Sequence, residues 1–360
     1  MSEHNIDSLF IAPDSTIEDA IKCIDGNQDG IALVVDSERR LIGTVVDGDI
    51  RRAMLAHIDL KSPVTVILER KPALYQKPIS APVNTSRDTL VELMREKYVR
   101  HIPLINEAGQ VVDLFHINDL MEMSPGLLPV QAVVMAGGFG TRLRPLTEET
   151  PKPMLPIGDR PLMERTIGLL RKSGIRKINV TTHFLPEKIR EHFGDGSGFD
   201  VELSYVNEET PLGTAGGVSL IDPPDTPLLV MNGDLLTDVN FREMYAYHQE
   251  QGAVLTVAVR RYEFTVPYGV VESQDGFVTH LSEKPSFGFF VNAGIYLLEP
   301  AAFHRIPKHQ HTNMTDVIDQ LVAEGLKVAC FPIREYWLDI GQHADYAKAQ
   351  ADVKDGKVGV

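Results

Sequence analysis

A short apolar run, Ala132 to Ala136, breaks into Gly137, Gly138, Phe139 and Gly140, then into Thr141, Arg142, Leu143 and Arg144. The run has the length and β-branched content of a buried parallel strand. A strand that opens into a glycine-rich turn lets a phosphate approach the backbone, because glycine reaches positive φ without strain and carries no blocking side chain. Successive N–H groups in such a turn make a concave anion site. Arg142 and Arg144 can fork onto phosphate oxygens. Pro145, Pro151, Pro153 and Pro156 predict a stiff, extended segment that holds Lys152 as a point charge. The spacing is that of neither a Walker A loop nor a GxGxxG turn.

Strand and helix patterns alternate after this stretch. Helices are expected over Leu162 to Ser173, Glu187 to Phe193 and Phe241 to Gln251. Strands are expected over Lys177 to Thr182, Val201 to Val206, Leu228 to Met231 and Ala253 to Val259. Alternation of this kind predicts a mostly parallel sheet covered on both faces, with ligands beyond the carboxyl ends of its strands. The candidates for chemistry fall at those ends. Asn232-Gly233-Asp234 follows the run Leu228 to Met231, and a carboxylate there, beside a phosphate loop, suits a hard cation such as Mg²⁺. Asp238 is expected to be solvated. Glu208 and Glu209 precede a second glycine-rich corner, Pro211 to Gly217. Glu283-Lys284-Pro285 pairs a carboxylate that can accept hydroxyl protons with an ammonium that can hold phosphate. Asn292, with Gly294 beside it, is a further candidate, and Trp337-Leu338-Asp339-Ile340-Gly341 supplies another carboxylate. His183 and His343 are read as structural.

The first 124 residues contain a loose internal repeat, with halves at about 1–60 and 78–124. Each half has a capped amphipathic helix, an apolar strand, a turn and a second strand. Each closes on an acidic helix start, Asp47-Gly48-Asp49 or Asn118-Asp119. Residues 125–130, with Pro125, Gly126 and Pro129, predict a linker, and 131–360 form the second domain. The net charge of −15 argues against binding nucleic acid by long-range steering. A polyanionic ligand therefore needs a local basic patch, which Arg142, Arg144 and Lys152 supply. Cys23 and Cys330 build no disulfide or metal framework. No apolar run reaches membrane-span length and no signal peptide is recognised, so a cytoplasmic location with no membrane partner is expected.

The whole string G-G-x-G-T-R-L-x-P-L-T-x-x-x-P-K-P resembles the signature of the sugar-1-phosphate nucleotidyltransferases. The likeness runs from about Gln131 onward. It implies a Rossmann-like α/β domain that transfers a nucleotidyl group from an NTP to a sugar 1-phosphate with Mg²⁺. By that resemblance Ala136, Gly137, Gly138, Gly140, Thr141, Arg142, Gly213, Thr214 and Gly233 would hold the nucleotide. Gly269, Glu283, Lys284 and Asn292 would hold the sugar phosphate. Asp234 and Asp339 would share the metal, and Arg142, Lys152, Asp234, Lys284 and Asp339 would carry catalysis. The N-terminal repeat looks like a tandem pair of CBS domains, an α+β module. Asp49 and Asp119 stand where that family's nucleotide-binding Asp stands, implying an adenine nucleotide. Val46 and His116 depart from its hydroxyl positions, which favours a packing or dimerisation element over a sensor. The combined architecture is similar to the glucosamine-1-phosphate guanylyltransferases of bacterial legionaminic acid biosynthesis. It points to GTP and glucosamine 1-phosphate, with mannose or glucose 1-phosphate and GTP, UTP or dTTP as the alternative. A regulator with an inactive transferase domain is the competing class. CBS pairs imply a homo-oligomer, a dimer by preference.

Overall fold

The computed structural model describes residues 6–27, 29–97, 99–116 and 126–359. The chain divides into two units, 1–125 and 126–360. In the first, β1 (Phe10–Ile11), α1 (Ile17–Gly26), β2 (Ile31–Val35), β3 (Leu41–Val46), α2 (Asp47–Leu55) and α3 (Thr65–Glu69) form one half. The second half is built from β4 (Ala81–Pro82), α4 (Arg87–Lys97), β5 (His101–Ile105) and β6 (Val111–His116). Each half is a three-stranded sheet with one parallel and one antiparallel pairing. Thr16 caps α1 in a reciprocal box with Asp19, as the repeat pattern leads one to expect. The halves share one core, because Val111 and Leu114 pack with Leu9, Ile31 and Leu33. The segment that joins them, residues 61–82 with Pro63, Pro72, Pro78 and Pro82, is not slack. It carries α3, whose Leu68 lies where a side chain on Gly43 would be. Asn118 and Asp119, expected to start the closing helix, lie outside the described residues.

The second unit runs β7 (Gln131–Met135), β8 (Pro156–Ile157), β9 (Arg160–Pro161), α5 (Leu162–Lys172), β10 (Lys177–Thr182), α6 (Pro186–Phe193) and β11 (Glu202–Asn207). Then come α7 (Gly213–Gly216), β12 (Leu228–Asn232), β13 (Leu235–Thr237), α8 (Phe241–Gln251), β14 (Leu255–Thr265), β15 (Val270–Gln274), β16 (Phe277–Ser282) and β17 (Ser286–Leu298). The last elements are α9 (Pro300–Phe303), α10 (Met314–Ala323), β18 (Val328–Ile333), β19 (Trp337–Asp339) and α11 (His343–Lys354). Seven strands form one sheet in the order β11-β10-β7-β12-β17-β14-β18. Every neighbouring pair is parallel except the two that involve β17. The fold is thus mixed α/β with a mostly parallel central sheet. Two buried apolar clusters form around its strands. One contains Val134, Ile167, Val180 and Met231, the other Val133, Val230, Leu255 and Val317.

Strand order fixes where a site can lie. From β7 the chain adds β10 and β11 on one side and then returns to add β12 on the other. The crevice at such a reversal, beyond the carboxyl ends, is where open α/β sheets bind ligands. Register aligns Met135 with Thr181 and Asn232, and Thr182 with Asn207. The residues just past those ends are Ala136-Gly137, His183, Glu208 and Gly233-Asp234, so they form a row along one edge.

Candidate active site

Within the glycine turn after β7, each glycine has a different reason. A Cβ on Gly137 would lie 2.9 Å from Glu208 Oε1, one on Gly138 would meet nothing within 4 Å, and Gly140 has φ +62°. Left-handed backbone therefore accounts for Gly140, close approach for Gly137, and Gly138 leaves open space. The Thr147 hydroxyl donates to the Gly140 carbonyl at 2.7 Å and fixes the turn.

The proline-rich segment is not extended as expected. A 3₁₀ turn at Thr141–Leu143 leads into it, and it winds into another at Lys152–Met154. Proline's fixed φ suits the start of a helical turn as well as an extended chain. Burial decides between them, because Leu143, Leu155 and Ile157 must reach a cluster that holds Leu236 and Ile340. Lys152 opens its turn, so its stem leaves from a rigid corner.

After β12 the Gly233 N–H donates to the Met135 carbonyl at 2.9 Å. A side chain at Gly233 would strike that carbonyl, at 2.6 Å. Asp234 follows, and its carbonyl accepts from the Ile340 N–H at 3.0 Å. The antiparallel pairing of β13 with β19 sets Leu235 opposite Asp339. Two carboxylates far apart in sequence thus come to one corner. Lys152 Nζ lies 2.5 Å from Asp234 Oδ2. Asp234 Oδ1 is buried and has no hydrogen-bond partner. Asp339 is partly open to water but crowded by the cleft. That loss of hydration first, and the charge of Asp234 second, raise its carboxyl above the ordinary range, while Lys152 and Arg142 oppose the shift. The backbone of Gly341 brings the last group in, since its Cβ position is 3.7 Å from Asp339 Oδ1 and 3.8 Å from Arg142 Nη1. Arg142, Lys152, Asp234 and Asp339 therefore share one corner.

This corner suits a small hard cation. It offers two carboxylates, one with an orphaned buried oxygen, and Mg²⁺ takes one or two carboxylates with water and phosphate filling the rest. Among the described residues no cluster of three or more His, Cys, Asp or Glu could hold a metal. Asp238 is not solvated as expected. It is half-buried, accepts the Gly359 N–H at 2.9 Å, and is pushed up by burial.

A second group lies on the long hairpin from β14 to β17. A Cβ on Gly269 would sit 3.1 Å from Glu283 Oε2. Lys284 has φ +47°, a conformation uncommon for a side-chain-bearing residue. Asn292 accepts the Gly294 N–H at 2.9 Å and donates to the Tyr296 hydroxyl at 2.8 Å. Gly294 (φ +69°) in turn presses on the Asn232 amide, 2.5 Å from its Cβ position.

The second glycine corner packs on the first through Glu208, to which the sequence alone gave no role beyond preceding that corner. Its carboxylate accepts the Leu212 N–H at 3.1 Å. A Cβ on Gly217 would lie 2.7 Å from its Oε1, so both glycine turns close on one buried carboxylate. The signal was its place one residue beyond β11, in the row that contains Ala136 and Gly233. Gly213 has φ +78°, and the Thr214 hydroxyl accepts the Met314 N–H at 2.9 Å, capping α10. His183 and His343 are each bonded to a backbone carbonyl, of Glu208 at 2.6 Å and of Arg144 at 2.9 Å.

In the N-terminal unit, Asp49 is enclosed. It accepts from the Val46 N–H at 3.1 Å and pairs with Lys71 and Arg52, each at 2.7 Å. His116 is buried and stacks on His101, ring centroids 4.5 Å apart. Asp119 lies outside the described residues.

The family model described as nucleotidyl transferase matches residues 131–356. That of the CBS domain matches 1–56 and 74–126. The chain is 33% identical over 235 residues to a mannose-1-phosphate guanylyltransferase of Mycobacterium tuberculosis, covering 63% of this chain and 65% of that protein. It is 34% identical over 241 residues to a UTP–glucose-1-phosphate uridylyltransferase of Synechocystis, covering 61% and 62%. The chain thus spans just under two thirds of the length of these relatives. A solved Bacillus anthracis structure named for glucose-1-phosphate thymidylyltransferase, in complex with sucrose, shares the fold at a TM-score of 0.52 and 22% identity, over 63% of this chain and 96% of that one.

Proposed function

Because the chain belongs to the nucleotidyl transferase family, we propose that it transfers a nucleotidyl group from an NTP to a sugar 1-phosphate. The observation that carries this is the corner of Arg142, Lys152, Asp234 and Asp339 beside two glycine turns at the sheet's switch point. In the reaction a sugar-phosphate oxygen forms a bond to the α-phosphorus, the α–β bridging P–O bond breaks, and pyrophosphate leaves with that electron pair. The sugar phosphate is already an anion at neutral pH, so no base has to be found, in keeping with two histidines tied to carbonyls. Catalysis is then positioning and charge neutralisation. Gly137, Gly138 and Gly140 let the triphosphate lie against the turn. Arg142 draws charge from the departing phosphates, and Lys152, held by its 3₁₀ turn, faces the α-phosphate. Glu283 and Lys284 on the hairpin orient the sugar and its phosphate. Asp234 and Asp339 would hold Mg²⁺, which when bound supplies charge neutralisation at the phosphate oxygens.

GTP is the favoured donor. Glu208 is a buried, acceptor-only group between the nucleotide turns. Guanine offers two adjacent donors on its pairing edge, N1–H and the 2-amino group, whereas uracil and thymine offer one. Glucosamine 1-phosphate is the favoured acceptor, since the exposed Glu283 carboxylate can meet an ammonium as well as hydroxyls. Mannose or glucose 1-phosphate with GTP, UTP or dTTP is the alternative. In the N-terminal module, the enclosure of Asp49 supports a packing role over an adenine-nucleotide sensor. No described helix is long and apolar enough to cross a membrane, and a cytoplasmic site of action is part of this proposal.

Pyrophosphate release with Mg²⁺, crossing GTP, UTP, dTTP, CTP and ATP with glucosamine, glucose and mannose 1-phosphate, tests it. One productive pair with GTP ahead is the expected result. UTP or dTTP ahead would keep the reaction and overturn the base. No release from any pair would overturn the enzyme and leave the regulatory alternative.

A further inference from the structure

β17 carries a bulge. Val257 of β14 stands opposite Tyr296 and Val259 opposite Asn292, so one residue of β14 spans the same stretch as Ala293, Gly294 and Ile295. Extra residues on one strand re-aim the side chains that flank them. Gly294 takes left-handed backbone there, at φ +69°. Both segments that deliver the corner's carboxylates touch the bulge. The indole N–H of Trp337, two residues before Asp339, donates to the Ala293 carbonyl at 2.9 Å. Asn232, two residues before Asp234, lies against Gly294. The bulge is thus tied to the corner from two sides.

The side chain at its edge is Asn292. The residue is exposed, yet its amide is aimed from within the protein. The Gly294 N–H can only donate, so the end of the amide that meets it at 2.9 Å is the oxygen. The nitrogen is therefore the end that meets the Tyr296 hydroxyl, at 2.8 Å. An asparagine amide has two N–H groups and two oxygen lone pairs, and these bonds use one of each. A donor and an acceptor remain on one planar group. A hydroxyl, which donates and accepts at once, satisfies both.

Tyr296 is suited to set that aim. Its ring is 4% exposed, in the cluster with Val133, Val230 and Leu298. Burial pushes the phenol above its ordinary range, so it keeps its proton at neutral pH. The last torsion of asparagine has only a broad preference of its own. Anchored at Gly294 alone, the amide would lack a fixed plane, and a ligand would have to order it on binding.

We infer that Tyr296 is a positioning residue for the acceptor: its hydroxyl sets the plane of the Asn292 amide, and that amide receives a hydroxyl of the sugar 1-phosphate. This rests on the reaction proposed above, with Asn292 as a sugar contact.

Steady-state pyrophosphate release with Mg²⁺ tests it, on the most productive pair from the crossing above, with the glucosamine, glucose or mannose 1-phosphate as the varied substrate. Tyr296→Phe keeps the ring and removes the hydroxyl. It should raise KM for the sugar phosphate about three- to tenfold, the effect of one hydrogen bond. It should leave kcat and KM for the nucleotide within about twofold. Asn292→Ala should raise the same KM at least as far. Adding Tyr296→Phe to it should then change KM by less than about twofold, because the hydroxyl has no amide left to aim. A crystal structure of wild type with the acceptor reads the same point without a variant: the Asn292 amide should touch a sugar hydroxyl while still bonded to Gly294 and Tyr296. Tyr296→Phe with a wild-type KM for the acceptor would overturn the inference, as would additive effects in the double variant or an amide turned away from Tyr296 in the complex. No release by wild type from any pair would overturn the reaction itself and this inference with it.

Discussion

Two corners in this chain, one from a strand into a helix and one between two strands, carry an aspartate beside a lysine, and they differ in what is left over. At the start of α2, Asp49 has both oxygens engaged by Val46 N–H, Lys71 and Arg52. At the end of β12, Asp234 spends one oxygen on Lys152 and keeps the other buried without a partner. A closed ion pair is structure. An open one, next to a second carboxylate and a glycine turn, is where, on the proposed function, an incoming cation and phosphate would complete the set. On the proposed function, the same pair of residue types stabilises one unit and would supply chemistry to the other.

Breaking the closed corner should give the largest effect. In Lys71→Met, Asp49 keeps only the half-exposed Arg52 as its ion-pair partner, and loss of one member of a buried pair costs about 3–5 kcal/mol. Urea or thermal unfolding should show the first unit melting earlier while the second keeps its transition. Breaking the open corner should cost activity instead: Arg142→Ala is expected to lower kcat on the order of 10²-fold, about 2.7 kcal/mol, with circular dichroism unchanged. Glu208→Gln sharpens the picture within the second unit, because an amide can donate as well as accept. The GTP-over-UTP ratio in kcat/KM should fall roughly tenfold, or about 1.4 kcal/mol.

The smallest effect concerns pH. The His101 ring is crowded by protein and lies beside His116, and burial first, then that neighbour, lowers its value to about 3. The unfolded chain binds this proton near pH 6.5 and the folded one does not, so stability is complete above that point. It is lost as pH falls from about 6.5 towards 3. Since the residue keeps some surface in water, the loss by pH 5 should be about 1 kcal/mol. Acid titration of unfolding in wild type and His101→Phe checks this: the variant should lose less stability over that interval.

Much of this was legible in the sequence. The strand Lys177–Thr182 and the helix Phe241–Gln251 fall where periodicity sets them. Gly137 and Asp234 stand out because each comes within two residues of the end of a buried strand, whereas Asp339 stands out only through the family resemblance carried by Trp337 to Gly341. Three things were not legible. Whether prolines 145 to 156 run extended or wind depends on burial of Leu143 and Leu155, which local φ preference does not reveal. Glu208 stands beside Glu209, and only the register of β11 against β10 shows which of the two turns inward. Asp238 is drawn from water by Gly359, 121 positions away.

The central claim is that the open corner at Asp234 does the chemistry and the closed corner at Asp49 does not. The most direct measurement is steady-state pyrophosphate release from GTP and glucosamine 1-phosphate with Mg²⁺, by the full-length wild type and Asp234→Asn side by side, with thermal melting as the check on folding. The variant should melt as wild type does and turn over on the order of 10²-fold more slowly. A folded Asp234→Asn protein that releases pyrophosphate at the wild-type rate would contradict it.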